Sequence, residues 1–376
     1  MYRHISSWVR QPPVVTAVVA WLVSRCVLFF VTIVGVLLDP HDSQYPNHPA
    51  LTWHDLLYIW RLWDGGWYAR IARLGYTQPS EHAFFPLYPS LIHLLALGHY
   101  LLTGMIISNL ALLAALIGLA FWAESRQASP YWVVRVLLFA PFALFFSAPY
   151  TESLFFALVI WAWVCAERQQ WTWVIVLGIL AGLTRPTGVL LCLPLFVLAW
   201  SARHHVIAWI TVVAPAIGTG LYMLYSAVLW GDPLAFVHSQ GLFGHTNNVW
   251  GGLRLAAQQV FIAPFLSYQE IRMLVDIVPL VVTIVLIAVS TRSMPRADIA
   301  WCIGIVAVIL LSPVTQSSFP DAYVSTGRYC LLAFPLLVPI AAAVRTHAWL
   351  EQAVTYSGIL LQATFLLFLF RGGWLV

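Results

Sequence analysis

A chain of 376 residues that is 61% hydrophobic and only 9% charged, with a mean hydropathy of +0.85, does not have the makeup of a soluble domain; it reads as a polytopic membrane protein. A net charge of +4, with no basic run longer than two residues, argues against nucleic acid as a partner. The five cysteines (Cys26, Cys165, Cys192, Cys302, Cys330) are scattered through apolar segments, the pattern of buried small hydrophobes and not of a disulfide framework or metal centre. All 18 basic residues are arginine, a compositional bias of the source that carries no function.

Arg3 and Arg10 precede an apolar stretch over 13–38 that is longer than a signal-peptide core and has no small-residue cleavage site after it. It is predicted to be a retained first transmembrane helix. Further apolar segments near the spanning length of about 17–25 residues are predicted at 104–123, 131–148, 150–166, 171–184, 187–202, 206–230, 271–290, 297–313, 328–344 and 349–370. No internal repeat is visible, so residues 1–376 read as one membrane domain. The stretch 84–102 is apolar enough to span but carries Pro86, Pro89, His93 and His99. If it does not cross, the N-terminus and the turns bearing Arg126, Arg168, Arg203, Arg292 with Arg296, and Arg345 all fall on the inside, as arginine-bearing short loops should. It is therefore predicted to be interfacial or re-entrant, giving about 11 spans with the N-terminus in and the C-terminus out. The outer face then collects the first outer loop (39–103), the turns near 147–153 and 183–188, a second large loop (231–270), and 314–328. Polar groups from many helix ends on one face describe a site.

The densest run of charge, aromatics and glycine is Trp60 to Tyr76 in that first loop. Trp60, Trp63, Trp67, Ile71 and Leu74 have helical spacing, so a 60–74 helix would carry one apolar stripe, with Arg61, Arg70 and Arg73 off it. Such a helix suits a membrane interface. Asp64 is the only carboxylate in the run and sits beside Gly65 and Gly66, which allow close backbone approach. It reads as a general base for an acceptor hydroxyl, as a first-turn acid of an anchor helix, or as an ion-pair partner for Arg61. Glu81-His82 is open to an acid–base pair, a metal ligand or a solvated pair. Phe84-Phe85-Pro86-Leu87-Tyr88-Pro89 forces a turn.

Further along, Glu152 opens a span at the end the helix dipole favours. Arg185 and Arg328 lie at outer helix ends, with planar forks suited to phosphate oxygens. Arg25 falls near the middle of the first span, where a charge is costly and needs a polar partner. The 231–270 loop mixes aromatics with His238, Gln240, His245 and Asn247, as a lid or an interfacial loop would.

Trp63-Asp64-Gly65-Gly66-Trp67-Tyr68 with Ile71-Ala72 and Gly75-Tyr76, then Glu81-His82-Ala83-Phe84-Phe85-Pro86, resembles the PIG-V-like (GPI mannosyltransferase 2) family. Ser147-Ala148-Pro149-Tyr150-Thr151-Glu152-Ser153, Thr184-Arg185, and Gly327-Arg328-Tyr329 with Phe334-Pro335 look like its later motifs, so the likeness runs from Arg25 to Pro335. The resemblance implies an all-α bundle of the GT-C superfamily, with interfacial amphipathic helices in the first outer loop. It implies a polyprenyl-phosphate sugar donor, usually mannose, a lipid-linked or glycan acceptor approached from the outer or lumenal side, and inversion with Asp64 as base. Arg328 or Arg185 would sit near the donor phosphate. Arg25, Trp63, Tyr68, Glu81, His82, Glu152 and Tyr329 complete the expected substrate-binding set, among membrane lipids and with no required cofactor, a divalent metal staying open. The composition points to a bacterial plasma membrane with the site on the extracytoplasmic face. A transporter or lipid flippase is the rival reading; it calls for internal repeats and paired broken helices. A non-catalytic scaffold is the third.

Overall fold

The structure is a computed structural model that describes residues 12–38, 56–57, 59–61, 63–262, 264–265, 267–316 and 322–370. Arg3, Arg10, the 39–55 part of the first outer loop and the 317–321 part of the 314–328 loop lie outside the described residues. Among the described residues the chain is helical; the sole strand-like pairing is one antiparallel bridge between His245 and Val314. Among the described residues five helices are long and apolar enough to cross a membrane: Pro13–Val36, Tyr100–Ser125, Val206–Trp230, Gln269–Ser290 and Ala348–Leu369. They fit a multi-pass, all-α membrane protein.

Several expected spans are not single helices, and proline is the common cause. The 131–148 stretch is an α-helix over Pro130–Leu138 followed by a 3₁₀ segment over Pro141–Phe146. Ala140, ahead of Pro141, is extended (ψ 138°), because a proline ring disfavours the helical region for the residue before it. The same reason ends Trp171–Thr184 at Arg185, which is extended ahead of Pro186; the 187–202 stretch becomes a 3₁₀ segment and the ten-residue Cys192–Ser201 helix. The 328–344 stretch divides into Thr326–Cys330, Phe334–Leu336 and Leu337–Thr346. Within 84–102 the chain forms the nine-residue helix Leu87–Leu95, too short to cross a bilayer core of about 30 Å, and from Tyr100 it already belongs to the Tyr100–Ser125 helix.

The chain gathers into two compact units. The first comprises residues 1–75, 88–160 and 337–375. In it the Pro13–Leu38, Tyr100–Ser125 and Pro130–Leu138 helices pack on one another. The Ala348–Phe370 helix closes against the broken 138–146 stretch. A Cβ at Gly358 would overlap the Phe139 carbonyl, and the Gln362 amide donates to the carbonyls of Leu138 (2.8 Å) and Ala140 (2.9 Å). Arg135 and Glu351 pair at 2.8 Å in the same unit.

The second unit comprises residues 76–87 and 161–336. Its closest helix pair is Trp171–Thr184 on Val206–Trp230. There Gly182 faces the Pro215 carbonyl and Gly218 the Ile179 carbonyl, and the Thr219 hydroxyl donates to Gly182 O at 3.3 Å. Small residues let two backbones meet where no large side chain would fit. Trp163, Trp301 and Phe334 form an aromatic core, with the Trp301 indole N–H on Leu332 O at 2.7 Å. The second large loop is pinned by Thr246 N to Pro313 O (2.8 Å), and the Thr246 and Thr315 hydroxyls meet at 2.7 Å.

Candidate functional site

Asp64 is the first residue of the Asp64–Leu74 helix and is half-buried, at the helix end where the dipole favours a carboxylate. Trp63, before it, is held at φ 56°, a region that non-glycine residues seldom occupy. Gly65 and Gly66 follow; a Cβ on either would overlap the carbonyl of Trp60 or Arg61, and at Gly65 it would also come within 2.9 Å of Pro149 Cγ. An acid bracketed by a strained tryptophan and two sterically required glycines is fixed in place by its backbone.

The expected 60–74 stripe needs correction. The helix starts at Asp64, Trp60 is buried in a 3₁₀ turn over Ile59–Arg61, and Trp63 and Leu74 are 43% and 53% exposed. The buried face is Gly65, Tyr68, Ile71 and Ala72. The unusual φ at Trp63 rotates the preceding residues off the helix, so the tryptophan spacing does not describe one surface.

Pro149 belongs to Ser147–Thr151, a stretch without regular structure that is buried throughout. The first unit holds it from several sides. The site of a Gly104 Cβ lies 2.9 Å from Pro149 Cβ, the Ser108 hydroxyl donates to Tyr150 O (3.0 Å), and Tyr68 Oη is 3.4 Å from Thr151 Oγ1. Tyr88 Oη lies 2.8 Å from Gly104 O and 2.7 Å from Ser108 Oγ, and its ring packs edge-on against Tyr68. Buried Glu152 opens the Glu152–Glu167 helix immediately afterwards. The Gly65–Pro149 and Tyr68–Thr151 contacts thus draw the helix starts at Asp64 and Glu152 into one polar layer. Arg25 meets that layer at its other end: its guanidinium donates to Ser147 Oγ, to Asn109 Oδ1 (3.4 Å) and to Ser24 Oγ (3.4 Å).

The remaining expected residues belong to the second unit. Glu81 is fully buried and caps its own turn, accepting from the N–H groups of Thr77 and Gln78 and from the Thr77 hydroxyl. His82 stacks on Trp230 (3.6 Å between ring centroids), and its carbonyl accepts from Tyr222 Oη at 2.8 Å. Burial pushes the His82 ring below its ordinary pKa, against the opposing fields of Glu81 and Asp232. His245 is pushed down in the same way, by burial, although the Ser312 carbonyl that accepts from it works in the other direction. Among the described residues no group of three or more His, Cys, Asp or Glu side chains is placed to share a metal ion.

Arg185 lies over the ring of Tyr329 (5.1 Å), next in the chain to Arg328, whose guanidinium donates to Ser325 Oγ at 3.1 Å; both arginines are buried. Asp276, deep in the Tyr268–Ser290 helix, accepts from Thr326 N at 2.9 Å and fixes the start of the Thr326–Cys330 helix. Sequence reasoning missed Asp276, and an acid inside an apolar span was the available signal. It also missed Asn109, and it read Ser147 only as part of the 147–153 motif and not as a partner of Arg25; both are neutral and carry no such signal. Of the cysteines, Cys165 and Cys302 are buried as expected, but Cys26 is exposed. No protein-family model, no curated protein and no solved structure matches the chain.

Proposed function

We propose that the chain is an integral-membrane glycosyltransferase, of the kind its motifs resemble, that moves mannose from a polyprenyl phosphate to a lipid-linked or glycan acceptor. The observation that carries this reading is the setting of Asp64: a half-buried carboxylate at a helix start, locked between strained Trp63 and two glycines that cannot be replaced without backbone movement. Backbone strain beside a carboxylate is characteristic of a functional position, since an anchor helix has no use for it.

The chemistry asks little of the protein. Asp64 takes the proton of an acceptor hydroxyl as that oxygen bonds to the anomeric carbon. The bond from that carbon to the donor phosphate oxygen breaks, its electron pair leaves with the phosphate, and attack from the opposite face inverts the centre. A phosphate leaves without protonation but benefits from positive charge. The resemblance gives the role beside the phosphate to Arg185 or Arg328, and both guanidinia are buried. Tyr68, one turn along the helix from Asp64, reaches Thr151, which precedes Glu152, and these side chains of the first unit would orient an acceptor hydroxyl. The reading includes about 11 spans, inferred from loop arginines, with reaction at the extracytoplasmic face of a bacterial plasma membrane.

Sugar transfer from labelled polyprenyl-phosphate mannose in membranes tests it. Asp64→Asn keeps size and polarity but removes the proton acceptor, so transfer is expected to fall by about 10²–10⁴-fold at normal expression. Equal rates would remove Asp64 from the chemistry. Absence of transfer by the wild-type protein from any lipid-linked sugar would favour a transporter.

A further inference from the structure

We propose that Arg25, with Asn109 and Ser147, forms a binding site within the membrane for the phosphate group of a lipid. Arg25 lies halfway along the 26-residue Pro13–Leu38 helix. Its neighbours Val23, Val27, Phe29 and Phe30 are exposed, as lipid-facing side chains are, while its guanidinium turns inward to the Tyr100–Ser125 helix and the 147–151 stretch. Every partner it has among the described residues is a neutral oxygen: Ser24 Oγ, Asn109 Oδ1 and Ser147 Oγ. A guanidinium has five N–H donors and a full charge, and these contacts supply no negative charge. A cation at that depth is costly and is retained where it meets an anion or a polar passage.

The surroundings are built to hold the arginine still. Ser147 Oγ donates to Asn109 Oδ1 at 3.2 Å, and the Asn109 amide donates to Met105 O at 2.8 Å and to Ser147 O at 3.4 Å. The Trp21 indole N–H, one turn before Arg25, donates to Asn109 O at 2.9 Å. Both acceptors of the Arg25 Nη1 group are thus oriented by other bonds, so the guanidinium keeps one direction. Backbone without helical bonds, as in Ser147–Thr151, is tolerated at membrane depth only where it is buried in protein or lines a polar cavity. Only Ala148 separates Ser147, which touches Arg25, from Pro149, which touches Gly65 beside Asp64. The first unit therefore joins a cation and a carboxylate through one short rigid segment.

Among the described residues, Ser24, Asn109 and Ser147 occupy the Nε and Nη1 donors and hold the guanidinium plane, which leaves the charge and the two N–H donors of Nη2 for phosphate oxygens. The first helix exposes Leu22, Val23, Val27, Phe29 and Phe30 around Arg25, as a lipid-facing surface would, so the phosphate would arrive on a lipid. Identifying that lipid as the sugar donor rests on the glycosyltransferase reading; the anion site rests on the geometry around Arg25.

The test is ligand-dependent thermal stabilisation of the purified full-length protein in neutral detergent. The probes are farnesyl phosphate, farnesol, phosphatidylglycerol and inorganic phosphate. Farnesyl phosphate is expected to raise the melting temperature and farnesol to leave it unchanged. Arg25→Gln should weaken the apparent affinity by about 10–100-fold, and Arg25→Lys, which keeps the charge but loses the fork, by less. If Arg25→Gln does not fold, Arg25→Lys decides the matter, because it should fold and still bind more weakly. Wild-type affinity in both variants, or equal stabilisation by farnesol, overturns the proposal, as does a variant that lowers the ligand-free melting temperature while leaving the ligand-induced shift intact. Arg25-dependent stabilisation by phosphatidylglycerol alone keeps the site and names a bulk lipid as occupant; the same by inorganic phosphate makes the lipid chain dispensable. Arg25-dependent binding without any sugar transfer leaves the site standing and removes the glycosyltransferase reading. Transfer with Arg25-independent binding does the reverse.

Discussion

Gln362 shows how one side chain keeps a broken helix tolerable in an apolar environment. The chain leaves the helical path at Phe139–Pro141, which deprives the Leu138 carbonyl of a backbone donor and leaves the Ala140 carbonyl with one, from Ala143 N, and no water is at hand in a membrane to add more. The Gln362 amide donates to both, at 2.8 and 2.9 Å. Gln362→Leu fits the space but leaves the buried Leu138 carbonyl without a donor, while the Ala140 carbonyl keeps its bond from Ala143 N. A loss of about 1–3 kcal/mol is expected, read as a lower unfolding midpoint in detergent or nanodiscs; an unchanged midpoint would mean that another donor reaches the Leu138 carbonyl. Legibility at this scale followed charge. Asp64, Glu152, Arg25, Arg185 and Arg328 stand out in an apolar chain because a charge there demands a reason, and the structure gives each a defined setting. Gln362, Asn109 and Ser147 are neutral, and which carbonyl or guanidinium they serve depends on contacts up to 224 residues apart in sequence. No local pattern records that.

Glycines on one helix pair separate packing from helix propensity. On Trp171–Thr184, a Cβ at Gly182 would lie 3.0 Å from both Pro215 C and Thr219 N, rigid backbone of the facing helix. On that facing helix, Gly220 has open space around the same position. Gly182→Ala must push two backbones apart, at about 1–3 kcal/mol for overpacking, which outweighs the gain of about 1 kcal/mol in helix propensity. Gly220→Ala keeps the propensity gain alone. The two variants are expected to shift stability in opposite directions in parallel melts; a shared direction would show that this close crossing does not hold the second unit together. Helix starts were read well at this scale where a proline or an acid marked them, as at Glu152. They were misread at Trp60–Leu74, because periodicity alone cannot detect the backbone reversal at Trp63 that removes Trp60 and Trp63 from the helix.

For the molecule as a whole, the open issue is which loops share a side of the membrane, and the second unit bears on it through one helix. The turn that holds Glu81 and His82 docks at the C-terminal end of Val206–Trp230: His82 stacks on Trp230, and Tyr222 donates to the His82 carbonyl. His204 and His205 immediately precede the other end. The helix has 25 residues, so its ends lie roughly 37 Å apart at 1.5 Å per residue, more than the ~30 Å of a bilayer core. The 80–82 turn and the 203–205 turn should therefore face opposite sides. The arginine count reaches the same assignment independently, provided 84–102 does not cross and 131–148 does. The nine-residue Leu87–Leu95 helix agrees with the first condition. For the second, Pro130–Leu138 and Pro141–Phe146 together reach about 25 Å, near the required length despite the break. With exposed Cys26 replaced by serine, Ser80→Cys is expected to react with an impermeant maleimide on intact cells, and His204→Cys only after permeabilisation. Labelling of both from one side would mean that one of the two segments behaves otherwise and that Val206–Trp230 does not span. It would also take the turn holding Glu81 and His82 away from the extracytoplasmic face, or carry the arginine-bearing turns there with it.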